Sequence, residues 1–315
     1  VIGRNEGHRL TDCLNSLGDL ASRSIYVDSG SNDGSQANAL RLGVGVFELD
    51  PSIAFTAARA RNAGYTALLQ RHANLDYVQF VDGDCTLDAG WIAAAEGLLV
   101  ERPEIALVCG RRREKYPQRS PFNAMCDQEW NGPVGSILEC GGDFLVRTAS
   151  FSQVDGFLDS LIAGEEPELC LRLREKGWHI WRLDTEMTLH DANITRLGQW
   201  WRRTVRAGHA FAEVSWLHRG SPMRIWHCNV VRALGWSALV PLSVVGLTVT
   251  PWSLLLLLAY PANIVRQAAR GGVSAIASWR DAFFSSLGKF AEAQGIVKYH
   301  ASRLFGRRSA LIEYK

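Results

Sequence analysis

The sequence lacks any Cys-x-x-Cys pair, any internal repeat and any low-complexity tract. Its seven cysteines are scattered and odd in number. That excludes a zinc ribbon and a secreted disulfide framework, and it fits a reducing compartment. Net charge is also nearly absent, since 34 Lys+Arg against 32 Asp+Glu leave +2 over 315 residues. No cleavable leader is visible; the chain opens at Val1 without a Met and inside an expected first strand, as a fragment of a longer chain would. With 47% hydrophobic and 21% charged residues the chain is neither disordered nor collagen-like. Its length suits one large domain or two moderate ones.

The near-neutral balance averages two unlike parts. Residues 1–195 carry 18 Lys+Arg and 28 Asp+Glu, whereas residues 196–315 carry 16 and 4. A basic third could suit nucleic acid, but the stretch from Ala233 to Val265 holds no charge over 33 residues, between Arg232 and Arg266. Such a pattern suits lipid headgroups better than nucleic acid. A single membrane span needs about 20 apolar residues, so the run is long for one span and short for two. Pro241, Pro251 and Pro261 interrupt it, and Thr250-Pro251 is the natural break. Basic residues on both flanks (Arg219, Arg224 and Arg232 before; Arg266, Arg270 and Arg280 after) prefer the cytoplasmic side. A tight hairpin or re-entrant pair with both ends cytoplasmic is therefore expected, with a buried helix pair as the alternative. Trp216, Trp226, Trp236 and Trp252 lie around the run as interfacial anchors would. Ile276, Trp279, Phe283, Leu287 and Phe290 recur at helical steps. They predict an amphipathic helix lying either along a membrane surface or against the main domain.

The first 195 residues alternate strand and helix. Strands are expected at Ser24–Val27, Val44–Leu49, Tyr77–Val81 and Ile105–Cys109, and helices at Gln36–Leu42, Ala57–Leu69 and Trp91–Leu99. This spacing predicts an α/β domain with a largely parallel sheet, in which ligands bind at the carboxyl ends of strands. Two acidic turns fall at such ends: Asp28, before Ser29-Gly30-Ser31-Asn32-Asp33-Gly34, and Asp82-Gly83-Asp84. Two carboxylates one residue apart can address a divalent ion and a ribose together, and hard oxygen ligands suit Mg²⁺ or Mn²⁺. A second acidic cluster, Gly164-Glu165-Glu166-Pro167-Glu168, opens an expected helix. There the acids either favour the helix dipole or hold a general base at a pocket mouth. Arg111-Arg112-Arg113 with Lys115 is expected to be a solvated loop, and Trp178 and Trp181 core residues.

Taken in order, these pieces resemble a membrane-associated member of glycosyltransferase family 2, the inverting transferases of GT-A fold. The matching segments are Arg4-Asn5-Glu6; Val27-Asp28-Ser29-Gly30-Ser31-Asn32-Asp33-Gly34-Ser35; Ala60-Arg61-Asn62-Ala63-Gly64; Asp82-Gly83-Asp84; Gly141-Gly142-Asp143; Gly164-Glu165-Glu166; and Gln199-Trp200-Trp201-Arg202-Arg203. The resemblance implies a nucleotide-diphospho-sugar transferase fold with a mixed, Rossmann-like sheet over residues 1–215. It also implies a membrane-associated hairpin over 216–270 and an amphipathic, basic tail over 271–315. Asp28 would bind the nucleotide base, uracil by preference, with Glu6 beside it. Arg61 would lie near the diphosphate and Asp82 near the ribose. Asp84 would bind Mn²⁺ or Mg²⁺, with His190 as a further ligand. Glu166 would be the catalytic base and Glu165 its neighbour. Gly142 and Asp143 would border the acceptor pocket, and Trp200, Trp201, Arg202 and Arg203 would cover diphosphate and acceptor. His190, Trp200 and Trp201 each also have a plain packing role as the alternative.

The chain departs from the family where Glu165-Glu166 replaces the usual Glu-Asp, where Ser29 replaces a second Asp, and where the Trp and Arg of 199–203 fall out of the QxxRW order. The last departure argues against a processive polymer synthase. The implied activity is transfer from a nucleotide-diphosphate sugar to a hydroxyl of a membrane-linked glycan or lipid, at the cytoplasmic face of the inner membrane, in exopolysaccharide or envelope glycan synthesis. A polyprenyl-phosphate sugar synthase and a non-catalytic, membrane-anchored nucleotide-sugar-binding protein are the alternatives.

Overall fold

A computed structural model describes residues 1–72, 74–272 and 274–306. The chain divides into two units, Val1–Thr195 and Arg196–Lys315. In the first, the strands are β1 (Ile2–Gly3), β2 (Ile25–Asp28), β3 (Gly45–Glu48), β4 (Tyr77–Phe80), β5 (Cys85–Leu87), β6 (Ile105–Glu114), β7 (Gly135–Ile137), β8 (Phe144–Arg147) and β9 (His179–His190). The helices are α1 (His8–Ser16), α2 (Ser35–Arg41), α3 (Ala57–Arg71), α4 (Trp91–Glu101), α5 (Pro121–Trp130), α6 (Thr148–Gln153) and α7 (Glu165–Glu175).

The local chemistry of the sequence sets where these helices begin. The Thr56 hydroxyl accepts from the Arg59 N–H and caps α3, and Ser120 caps α5 ahead of Pro121. Gly164 precedes α7 at φ +81°, a left-handed conformation that suits glycine, and so turns three glutamates into its first turn.

Strands β1, β2 and β3 pair in parallel, as the alternation predicts. The Ile2 N–H donates to Val81 O, and the Gly83 N–H donates to Ile2 O, so β1 also lies against the exit of β4. From there the order runs β4-β8-β6-β9-β5, with β7 also on β9. Strand β8 is antiparallel to both β4 and β6, so the sheet is mixed rather than largely parallel. The reversal matters for the site. Phe80 pairs with Phe144, so the end of β4 meets the start of β8 and Asp143 is carried beside Asp82. Phe80, Phe144, Phe151 and Phe157 pack with ring centroids 5.2–6.2 Å apart under that junction. Strand β6 runs on to Glu114, so the three arginines expected in a solvated loop are strand residues.

The second unit consists of α8 (Leu197–Leu217), α9 (His227–Gly246), a 3-10 segment (Pro251–Leu258), α10 (Ala259–Gly271) and α11 (Ile276–Leu304). The apolar run breaks where Thr250-Pro251 predicts: α9 ends at Gly246, and the Thr250 hydroxyl caps the 3-10 segment. Among the described residues, α9 is the one helix long and apolar enough to cross a membrane. Helix α11 buries a small-residue face, including Ala282, Ala291 and Gly295, within this unit, while Ile276, Trp279 and Phe283 stay exposed.

Candidate active site

Two further pairing registers bring the acidic turn to its partners. Asp82 and Asp84 sit between β4 and β5. In the β5–β9 ladder Cys85 pairs with His190, which sets Asp84 against His190. In the β6–β9 ladder Arg112 pairs with Thr188, and both side chains reach Asp143. Helix α3 delivers Arg61 and the start of α7 delivers Glu165 and Glu166.

Arg61 is the centre of this arrangement. It is buried, and one guanidinium nitrogen lies 2.8 Å from Asp82 Oδ1. Its other terminal nitrogen lies 3.0 Å from Glu165 Oε1 and 3.0 Å from Glu166 Oε1. Gly142 makes room for the pair: a Cβ there would land on Arg61 Nη2 and 2.6 Å from Asp82 Oδ2. Arg112 holds the opposite side of Asp82, at 3.1 Å from Oδ2, and binds Asp143 Oδ2 at 2.6 Å. Burial would raise the Asp82 carboxyl, but Arg61 and Arg112 outweigh it and hold it well below the usual carboxylate range. Glu166 goes the other way. Burial, then the charge of Glu165, push it up to about 7, against the pull of Arg61.

His190 Nε2 lies 3.0 Å from Asp84 Oδ2, and both residues are buried. Burial, then the Arg112 charge, lower the imidazole to about 4, so it is neutral at neutral pH. Its ring stacks on Trp130 at 4.7 Å between centroids. A carboxylate and a neutral imidazole in contact form a donor pair that fits Mn²⁺, and Asp84, Cys85 and His190 lie close enough to share an ion. Burial raises the Cys85 thiol well above its ordinary value, so the hard oxygen and the nitrogen are the ligands of choice. Glu114 supports this corner. It accepts from the Ala192 and Tyr116 N–H groups and from Asn123 Nδ2, and so fixes the chain after His190 to β6.

At the ends of β1 and β2 the two Gly/Asn/Ser loops are stitched together. Asn5 N–H donates to Ser31 Oγ, Asn32 N–H to Asn5 Oδ1, and Gly7 N–H to Asp33 Oδ2. Asp28 Oδ2 accepts from the Gly30 and Ser31 N–H groups and from Gln36 Nε2, while Oδ1 accepts from the Tyr26 hydroxyl. Glu6 pairs with Arg9 at 2.6 Å.

Asp143 is buried, and its carboxylate accepts from the Asp82 N–H, Thr188 and Arg112. Arg61 is engaged by three carboxylates, those of Asp82, Glu165 and Glu166. Arg112, expected in a solvated loop, is a half-buried strut of the site. Trp200, Trp201, Arg202 and Arg203 lie on α8 in the second unit. There Trp200 is buried against Phe284, and Trp201 Nε1 donates to Gln294 Oε1.

Residues 1–135 match the family model described as Glycosyl transferase family 2. The succinoglycan biosynthesis protein ExoA of Rhizobium meliloti (strain 1021) is 26% identical over 181 residues, 54% of this chain and 54% of that protein. The pre-mycofactocin glycosyltransferase of Mycobacterium tuberculosis (strain ATCC 25618 / H37Rv) is 27% identical over 172 residues, 51% of this chain and 35% of that protein. The chain thus spans about half the length, or less, of these curated relatives. Among solved structures, the mannosyltransferase PcManGT of Pyrobaculum calidifontis, in complex with GDP-Man and Mn²⁺, is similar at a TM-score of 0.61. That likeness has 15% identity and covers 94% of this chain and 85% of the other; it shows a shared GT-A type fold.

Proposed function

We propose a reaction for this chain, which belongs to glycosyltransferase family 2 through its first 135 residues. It transfers a sugar, with inversion, from a nucleotide-diphosphate donor, UDP-linked by preference, to a hydroxyl of a membrane-linked glycan or lipid. The setting is exopolysaccharide or envelope glycan assembly at the cytoplasmic face of the membrane. One observation carries the reading: the guanidinium that grips Asp82 also touches Glu166. A donor-side carboxylate and a base therefore flank one small volume, as an in-line displacement needs.

In this reading Asp28 Oδ1, which takes the Tyr26 hydroxyl, also accepts from an N–H of the base. Asp82, held from both sides by arginines, meets the ribose. Asp84 and His190 would hold Mn²⁺ or Mg²⁺, which when bound neutralises charge on the diphosphate. Glu166 takes the proton of the acceptor hydroxyl, and that oxygen attacks the anomeric carbon on the face opposite the departing diphosphate. A carboxyl tuned to about 7 is half ionised at neutral pH, which is where a general base works best. Glu165 keeps Arg61 in place and adds the charge that tunes Glu166. The exposed apolar hairpin supports attachment to a membrane, where a lipid-linked acceptor is concentrated. The likeness to ExoA, a succinoglycan biosynthesis protein, supports a polysaccharide product.

The test is a donor panel with the full chain in detergent and Mn²⁺, following release of nucleoside diphosphate with and without lipid extract. Release that needs the lipid extract supports the reading. No release from any donor favours a binding protein without catalysis. An acid-labile sugar phosphate as product favours a polyprenyl-phosphate sugar synthase.

A further inference from the structure

We infer that the hairpin made by α9 and the segment Pro251–Leu258 enters a single leaflet of an anionic bilayer and turns back at mid-depth, rather than crossing. This rests on the membrane-attachment part of the reading above and not on the reaction.

The first ground is length. The two arms run antiparallel, tied where Tyr260 donates to Trp236 O and Ser253 to Ser243 O. Helix α11 passes the base of the hairpin, where Ser237 donates to Lys289 O and Asn263 to Ser286. Beyond that level the first arm runs from Trp236 to Gly246, about 17 Å at the rise of an α-helix. The returning arm, Pro251–Leu258, is about 16 Å at the rise of a 3-10 helix. The hydrocarbon core of a bilayer is about 30 Å thick. Each arm therefore matches one leaflet.

The second ground is the polar atoms. At the tip the N–H groups of Leu247, Thr248, Val249 and Thr250 donate to Val244, Val245 and Gly246 carbonyls. Trp252 N–H donates to Thr250 Oγ1, Ser253 N–H donates to Thr250 O, and Pro251 has no N–H. The hydroxyls of Ser243 and Thr248 turn back onto Val240 O and Val245 O. A turn in water can leave such groups to solvent; a turn in hydrocarbon cannot. Yet the side chains around this turn, whose N–H groups are satisfied within it, include exposed apolar ones, with Val249 at 86% and Trp252 at 73%.

The third ground is charge. Arg224, Arg232, Arg266 and Arg270 are exposed at the hairpin's base, and none lies between 233 and 265. That order, cations and then hydrocarbon, complements an anionic headgroup layer over acyl chains. A second copy docked hairpin to hairpin would instead press two sets of arginines together.

The experiment uses the full chain carrying Cys228→Ser, which removes the one exposed cysteine among the described residues. Val249→Cys or, as a control at the base, Arg270→Cys is added, and the protein is bound to vesicles of phosphatidylcholine and phosphatidylglycerol. In intact vesicles an impermeant maleimide added outside should label Val249→Cys about tenfold less than Arg270→Cys, and one trapped inside should label neither, because the tip is shielded by lipid and the base faces outward. Once the vesicles are dissolved in detergent, Val249→Cys is expected to react with an impermeant maleimide as fully as Arg270→Cys does, because its thiol can then ionise in water. Labelling from the lumen would show a full crossing. Failure to float with the vesicles, together with a Val249→Cys cross-linked dimer in buffer, would show that a second copy covers the hairpin. Either result overturns the inference. Nucleoside diphosphate release from the same preparation tests the reaction separately.

Discussion

Arg61 and Glu166 stand 3.0 Å apart, and the same buried guanidinium reaches Asp82 at 2.8 Å. One cation thus ties the start of α7 to the end of β4, two segments some eighty residues apart in sequence. It is shared among three carboxylates, and that sharing leaves Glu166 incompletely neutralised. An isolated Arg–Glu pair would hold the acid low; here burial and Glu165 win, and Glu166 rises to about 7.

The pH dependence of turnover follows from that value. Below about 7 Glu166 is protonated and cannot accept the acceptor's proton, so kcat/KM is expected to rise with pH through 7 and then level off. Glu166→Gln is expected to cost roughly 100- to 10,000-fold in kcat, the usual worth of a positioned base, and to erase this rising limb. Donor affinity, measured by calorimetry, should stay within a small factor. A rising limb that survives in Glu166→Gln would assign the titration to another group, and Glu165→Gln would be the next variant to profile.

Asp84 and His190 make a separable prediction about metal. Asp84→Asn is expected to abolish Mn²⁺-supported turnover, because the amide has lost the charge that a hard cation needs. His190→Ala keeps the carboxylate and loses one donor. It should therefore raise the Mn²⁺ concentration for half-maximal activity about 10- to 100-fold, with partial recovery at high Mn²⁺. A titration of activity against Mn²⁺ separates the two. Equal Mn²⁺ requirements in wild type and His190→Ala would remove the imidazole from the ligand set.

How much of this was legible before folding depends on distance along the chain. The turns at Asp28 and Asp82/Asp84 and the helix opening at Glu165 are local patterns, and all three stand where sequence periodicity puts them. The reversed direction of β8 is not local. It depends on Phe144 finding Phe80, more than sixty residues away, and so the buried role of Asp143 could not be read from Gly141-Gly142-Asp143 alone. Arg112 is an intermediate case. Three consecutive arginines resemble a solvated loop, yet the apolar run Ile105–Cys109 continues as a strand, and period-two alternation turns Arg112 and Glu114 inward while Arg113 meets Glu186 outside. A longer strand was the available signal.

Arg112 should accordingly matter for folding as well as for the site. Arg112→Met would leave the fully buried Asp143 without its cation, and breaking a buried pair in this way costs about 3–5 kcal/mol. Asp143→Asn leaves Arg112 still facing Asp82, so it should cost less. The double variant should be more stable than Arg112→Met alone, since no uncompensated carboxylate remains. Urea denaturation of the four proteins closes this cycle. Independent, additive losses would mean that the two side chains do not act as a pair.

The second unit offers a reversal of an ordinary rule. Gly to Ala inside a helix usually stabilises, by about 0.5–1 kcal/mol. Gly97→Ala on the exposed face of α4 should do so, because nothing lies within 4 Å of the added methyl. Gly295 in α11 is different. Its Cβ would overlap Val205 O and come 2.6 Å from His209 N, while Gly208 of α8 meets the backbone of Glu292 in the same way. The two helices touch backbone to backbone, a close approach that only small residues permit. Gly295→Ala must push them apart, and overpacking of this kind costs roughly 1–3 kcal/mol. Calorimetry of both variants gives the comparison. If Gly295→Ala melts as late as the parent, α8 and α11 are not in backbone contact, and the small-residue face of α11 needs another explanation.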